Sequence, residues 1–141
     1  MQVENISNHN FGTLKYSPQA RKTITKLIKE DILSYNRAII DHLSWNYSFN
    51  HINGLKTLED LIRSKRIKSE KHINSILNNF KEALEHAQKS QTQKVTIIRK
   101  PKTKKPFEDI IVTINDEQYI HRNNSSILNF LNKISNKILN K

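Results

Sequence analysis

Histidine and arginine beside predicted strands are the residues of this chain best suited to acid–base chemistry. His121 and Arg122 are neighbours, and Arg99 lies in an earlier β-branched segment. Metal-free cleavage of RNA requires a general base, a general acid and cations around the phosphate. If the chain is a ribonuclease, His121, Arg122 and Arg99 are the catalytic candidates. The sequence predicts no firm catalytic set beyond this conditional one.

The cysteine, histidine and glycine content of the chain gives little indication of a metal or cofactor site. The chain contains no cysteine, which excludes disulfides, thiolate zinc sites and a cysteine nucleophile. Its six histidines show no paired spacing with carboxylates of the kind that zinc sites use. Gly12 and Gly54 are the two glycines, too few for a loop that cradles nucleotide phosphates. We therefore expect no metal and no cofactor.

The strongest signal is a cluster of positive charge. Residues 61–105 contain 13 Lys or Arg and 3 Asp or Glu, which accounts for nearly all of the net charge of +11. Such a block attracts polyanions, and nucleic acid is the commonest of these. The predicted phosphate ligands lie in two groups, over 63–71 and 99–105: Arg63, Lys65, Arg66, Lys68, Lys71, Arg99, Lys100, Lys102, Lys104 and Lys105.

Helical periodicity predicts how the first of these groups is positioned. Ser17-Pro18 provides an N-cap and a first-turn proline, so a long helix is expected over about 18–50. After Gly54 a second helical pattern begins, lapses across 63–71, and resumes in a new phase from Ile73 to about residue 89. We expect a helix, a turn over 63–71 and a further helix.

The last third of the chain predicts strands and a closing helix. Residues 94–100 and 109–114 are rich in β-branched side chains, and a short strand is expected near 118–121. A helix follows the caps at 124–126. The expected fold is therefore α+β. Its expected organisation is a flexible tail (1–12) and a single domain (13–141), which comprises a helical part (13–90), an antiparallel β-meander (94–121) and a C-terminal helix (124–141).

The predicted order of elements over residues 57–114 resembles a winged-helix DNA-binding module. The resemblance implies that a helix of about 70–89 enters the major groove and that the 94–114 hairpin forms the wing. The wing tip would then carry the basic loop. The outward residues of the implied recognition helix include amides that are able to pair with adenine: Lys71, Asn74, Ser75, Asn78 and Asn79.

The favoured interpretation is a non-catalytic protein that binds DNA or RNA mainly through the phosphate backbone. Apolar faces on the first and last helices favour a homodimer. One alternative is a small metal-free RNase toxin of a bacterial toxin or contact-dependent inhibition system, with an acidic antitoxin or immunity protein as its partner. Residues 3–5 resemble part of the VENN junction that precedes such toxin modules. The other alternative is a phage- or effector-type protein that binds an acidic host protein.

The sequence also bears on location. No window approaches 18 apolar residues, so no membrane span and no membrane partner are expected. The first dozen residues have no apolar stretch that would act as a signal peptide. A cytoplasmic protein is the default expectation, although a secreted effector or toxin without cysteine would have the same composition.

Overall fold

The computed structural model describes residues 14–50, 55–100, 109–122 and 125–141, and within the helices it leaves the side chains of residues 40, 42–50, 55–59 and 61 undescribed. The tail predicted over 1–12 lies outside the described residues. The chain is α+β, as predicted, with three helices and a four-stranded sheet. The elements in chain order are β1 (Leu14–Tyr16), α1 (Pro18–Asn50), α2 (Leu55–Lys89), β2 (Val95–Lys100), β3 (Asp109–Ile114), β4 (Glu117–His121) and α3 (Ile127–Leu139).

Helix α1 begins where its cap residues predict. The Ser17 hydroxyl accepts a hydrogen bond from the Ala20 amide at 3.0 Å, which satisfies one of the unpaired donors of the first turn. Ala20, Ile24 and Leu27 are buried along one side of the helix. Beyond Leu27 the described side chains of α1 are half-buried or exposed, and the half-buried Ile28, Ile32 and Tyr35 pack against the core.

Helix α2 is continuous through residues 63–71, and the predicted turn there was wrong. No glycine or proline interrupts residues 55–89, so every backbone amide after the first turn has a helical partner available. The apolar rhythm lapses because this part of the helix leaves the core. All residues from Arg63 to Lys68 are exposed, and burial resumes at Ile73.

The winged-helix layout fails together with that turn. Strands β2 and β3 do form the predicted antiparallel hairpin. They are, however, the two inner strands of a sheet in the order β1-β2-β3-β4, so the hairpin is flanked on both sides and does not stand out as a wing. Strand β1 was not predicted. It pairs in parallel with β2, with Leu14 opposite Val95 and Tyr16 opposite Ile97.

The two faces of the sheet differ in burial. One face places Ile97, Val112 and Ile110 against the helices, and each of these side chains is at most 1% exposed. The opposite face carries a row of isoleucines, Ile98, Ile111 and Ile120, aligned across three strands. Ile98 and Ile120 are 41% and 43% exposed. In the described part of the chain, the helices therefore cover one face of the sheet.

Helix α3 closes the core with an almost fully apolar buried side. The Ser126 N-cap, as predicted, accepts a hydrogen bond from the Asn129 amide. The apolar residues on its buried side are all at most 1% exposed: Ile127, Leu128, Leu131, Ile134 and Ile138. This face is buried within the chain itself, so it cannot serve the homodimer interface predicted on the last helix. Among the described residues, no helix combines the length and apolarity that crossing a bilayer would require.

Candidate functional site

The cations of α2 lie on a stretch of helix that nothing in the described structure covers. Arg63, Lys65, Arg66, Lys68 and Lys71 are all exposed. Arg63 donates to the Asp60 carboxylate at 3.1 Å. In the described part of the chain, the other four make no ion pair. A stretch of helix with exposed and largely unneutralised cations is able to contact phosphates without first breaking internal salt bridges.

These five cations surround α2 and do not share one face. Each residue turns the helix by about 100°, so residues three apart lie on the same side. Lys65, Lys68 and Lys71 therefore follow one another along one side, and Arg63 and Arg66 lie on the other. The expectation of a single convergent surface holds for the three lysines only. We call these three the α2 lysine row.

The α2 lysine row leads into a polar groove between α2 and α3. The groove has a volume of about 650 Å³, and Lys71, Asn74, Ser75 and Asn78 line its α2 side. Asn79, also in the groove, is already engaged: its amide donates to Asn136 Oδ1 at 2.9 Å and its carbonyl accepts from Lys141 Nζ at 3.1 Å. Three of the amide and hydroxyl side chains singled out from the sequence, Asn74, Ser75 and Asn78, thus remain exposed beside the lysines.

The second predicted group of cations begins at the end of β2. Lys100 is exposed and faces away from the helices, whereas Arg99 is half-buried and lies on the helix-covered side. Lys100 is opposite Asp109 in the strand register, next to a buried carboxylate. Lys102, Lys104 and Lys105 lie outside the described residues. Lys100 is the last described residue before them in the chain.

Arg99 and Lys100, the described members of the second group, lie at the same end of the molecule as the 63–71 stretch of α2. Helices α2 and α3 run in the same direction, because Asn79 bonds to Asn136 and Glu82 pairs with Lys141 one turn further along. At about 1.5 Å per residue, the start of α3 at Ser126 is therefore level with the 63–71 stretch of α2. The ends of β2 and β4 lie at this level too, since Arg99, Ile110 and His121 share one row across the sheet.

The predicted ribonuclease residues are placed less favourably. His121 is 1% exposed, and its Nε2–H donates to the Ser125 carbonyl at 2.8 Å. Its Nδ1 is buried and has no hydrogen-bond partner among the described residues. Arg122 is 67% exposed but lies 3.9 Å from the buried Asp109 carboxylate. His121 and Arg99 share a row of the sheet with the β3 residue Ile110 between them. The His121 imidazole is thus held in the interior, where a phosphodiester cannot reach it.

No protein-family model, curated protein or solved structure matches this chain.

A further group of cations on α1 was missed from the sequence. Residues 15–29 contain five Lys or Arg and no Asp or Glu, yet residues 1–60 as a whole are almost neutral. The net charge was counted over residues 1–60, where acids elsewhere in the segment cancel the charge of this group. A window of about two to four helical turns would have found it. Four of its members, Arg21, Lys22, Lys26 and Lys29, line a surface pocket of about 650 Å³ together with Tyr16.

Proposed function

We propose that this protein binds nucleic acid without cleaving it, mainly through the phosphate backbone. The observation that carries the proposal is the exposed stretch of α2, with its five cations and single described ion pair. The residues proposed to contact phosphate are those predicted on the helix and around the loop: Arg63, Lys65, Arg66, Lys68, Lys71, Arg99, Lys100, Lys102, Lys104 and Lys105. The burial of His121 favours binding over catalysis.

The composition of the proposed interface favours backbone contact over base reading. Lysine is a point charge on a flexible stem, whereas the bidentate recognition of guanine requires arginine in most cases. The α2 lysine row supplies point charges, and the neighbouring Asn74, Ser75 and Asn78 supply neutral donors and acceptors. Hydroxyl and amide groups of this kind contact phosphate oxygens as readily as base edges. We therefore expect modest sequence preference.

The test replaces the α2 lysine row as a set. With Lys65, Lys68 and Lys71 changed to Gln, the slope of log affinity against log salt for duplex DNA should become shallower by about 2–3, because each lost phosphate contact contributes about 0.9. Gln retains helix propensity, so circular dichroism should be unchanged. The matched control changes Lys81, Lys89 and Lys94, which are equally exposed and lie outside the proposed interface, and should leave most of the slope in place.

The proposed loop contacts are tested in the same titration. Changing Lys102, Lys104 and Lys105 together to Ala should also make the salt slope shallower by about 2–3. An unchanged slope would remove the loop from the interface. Failure of the wild-type chain to bind any DNA or RNA at low salt would end the proposal. Loss of full-length RNA during the titration, abolished by His121→Ala, would instead favour the ribonuclease.

A further inference from the structure

Helix α1 carries a narrow basic stripe on the side that faces away from the core. Lys22, Lys26, Lys29 and Arg37 recur at helical spacing with Leu33 between them, and all five are exposed. The buried residues Ala20, Ile24 and Leu27 occupy the opposite side of the helix. From Lys22 to Arg37 the stripe extends about 22 Å at 1.5 Å per residue. We call these five residues the α1 stripe.

A pocket at the start of the stripe adds a further cation and an aromatic ring. It has a volume of about 650 Å³, and Tyr16, Arg21 and Thr25 line it together with the first three stripe lysines. The Arg21 guanidinium lies 4.6 Å from the centre of the Tyr16 ring, which holds the charge in place at the pocket wall. The acid in the described lining is Glu30. Cations therefore outnumber carboxylates there by four to one.

The shape of this surface identifies the class of anion that it fits. A single phosphate or a small anion would engage one end of the stripe and leave the remainder unused. A lipid surface would need an apolar face on the helix, and Leu33, 64% exposed, is the one large apolar side chain of the stripe. A linear polyanion matches a line of charges about 22 Å long. The phosphodiester backbone of a polynucleotide has this form.

We infer that the α1 stripe is a second polynucleotide-binding surface, separate from the α2 lysine row. The inference rests on the proposed function, because it assumes that nucleic acid is the ligand of the chain. It extends that function from one contact surface to two, on different helices. Both surfaces are expected to contact the phosphate backbone, because their charged side chains are lysines and arginines.

The experiment compares matched triple substitutions in the full chain, with a labelled single-stranded oligothymidylate as the probe. One variant changes Lys22, Lys26 and Lys29 to Gln. The second changes the α2 lysine row to Gln, and the control changes Lys81, Lys89 and Lys94 to Gln. Each binding-surface variant should make the salt slope shallower by about 2, since three contacts to a single strand contribute about 0.7 each. The control should change the slope by much less.

The outcomes separate this inference from the proposed function. A wild-type slope in the α1 variant, with a shallower slope in the α2 variant, would overturn the second surface and leave the proposed function intact. A shallower slope in the α1 variant, with a wild-type slope in the α2 variant, would support the α1 surface and remove the α2 lysine row from the interface. No binding by the wild-type chain would overturn both. In a parallel arm with phosphatidylserine vesicles, a loss confined to vesicle binding would assign the stripe to a lipid surface and overturn the inference.

Discussion

Asp31 joins two helices that are far apart in the chain. It lies on α1, and its Oδ2 accepts hydrogen bonds from the Ser126 hydroxyl at 2.8 Å and from the Leu128 amide at 3.0 Å. The first amides of α3 have no partner within the helix, and the positive end of the helix dipole favours a carboxylate there. One side chain thus caps α3 and fixes its start against α1, level with the proposed interface.

We expect Asp31→Ala to lower the free energy of unfolding by about 1–2 kcal/mol, the usual cost of losing a capping group. Urea denaturation of the purified protein measures this cost. Asp41→Ala is the matched control, because Asp41 is exposed on the same helix and makes no hydrogen bond among the described residues. Equal stability of the two variants would mean that the carboxylate of Asp31 contributes nothing to the α1–α3 junction.

Burial sets the environment of the residues that the sequence predicted for chemistry. His121 was predicted from its neighbours Arg122 and Arg99, and the strand register does place these residues at one end of the sheet. Its burial was not foreseeable, because it depends on which face of β4 the helices cover and on packing against Phe130. Burial also acts on Tyr16, which the sequence did not single out: it raises the pKa of the Tyr16 hydroxyl above the ordinary 10.0, and the Arg21 charge opposes this.

At the scale of elements, capping residues and β-branched runs predicted where helices and strands begin. The loss of apolar periodicity over 63–71, by contrast, did not predict a turn correctly. The Ser17-Pro18 pair predicted the start of α1, and the β-branched run predicted β3 over Asp109–Ile114. Hydrophobic periodicity shows which side of a helix is buried, and a stretch of helix that leaves the core has no buried side. The sequence of 63–71 therefore lacks apolar periodicity, and this was interpreted as a turn. Strand β1 was missed because three residues carry little pattern and their partner in β2 is distant in sequence.

Because α2 is continuous, we expect Ile67 to have the helix propensity cost of a residue inside a helix. Ile67 is 48% exposed and lies in the middle of the 63–71 segment that the sequence predicted as a turn. Ile67→Gly should be less stable than Ile67→Ala by about 1 kcal/mol, since both remove the side chain and differ in helix propensity. Thermal unfolding followed by circular dichroism measures the difference. Gln88, exposed near the end of the same helix, provides the control pair of Ala and Gly variants. If the Ala and Gly variants differed in stability at position 88 but not at position 67, residue 67 would lie in a turn.

For the molecule as a whole, the helices lie on one face of the sheet, and adjacent strand residues therefore experience opposite environments. Ile97 is 0% exposed and Ile98 is 41% exposed. We expect Ile97→Ala to cost about 2–5 kcal/mol of unfolding free energy through the cavity that it creates. Ile98→Ala should cost about 1 kcal/mol or less, because its side chain is largely in water already. Guanidinium denaturation compares the two variants, and similar costs would contradict the one-sided arrangement.

The parallel pairing of β1 with β2 has a consequence for the order in which the chain acquires its structure. During synthesis, residues 14–16 leave the ribosome about eighty residues before the strand that they pair with. Both long helices lie between the two strands in the sequence, and helices depend more on local contacts than strand pairing does. We therefore expect helical structure to begin to form before β1 and β2 can pair. Leu14 and Tyr16, which end half-buried, cannot pair with β2 until Val95 and Ile97 have been translated.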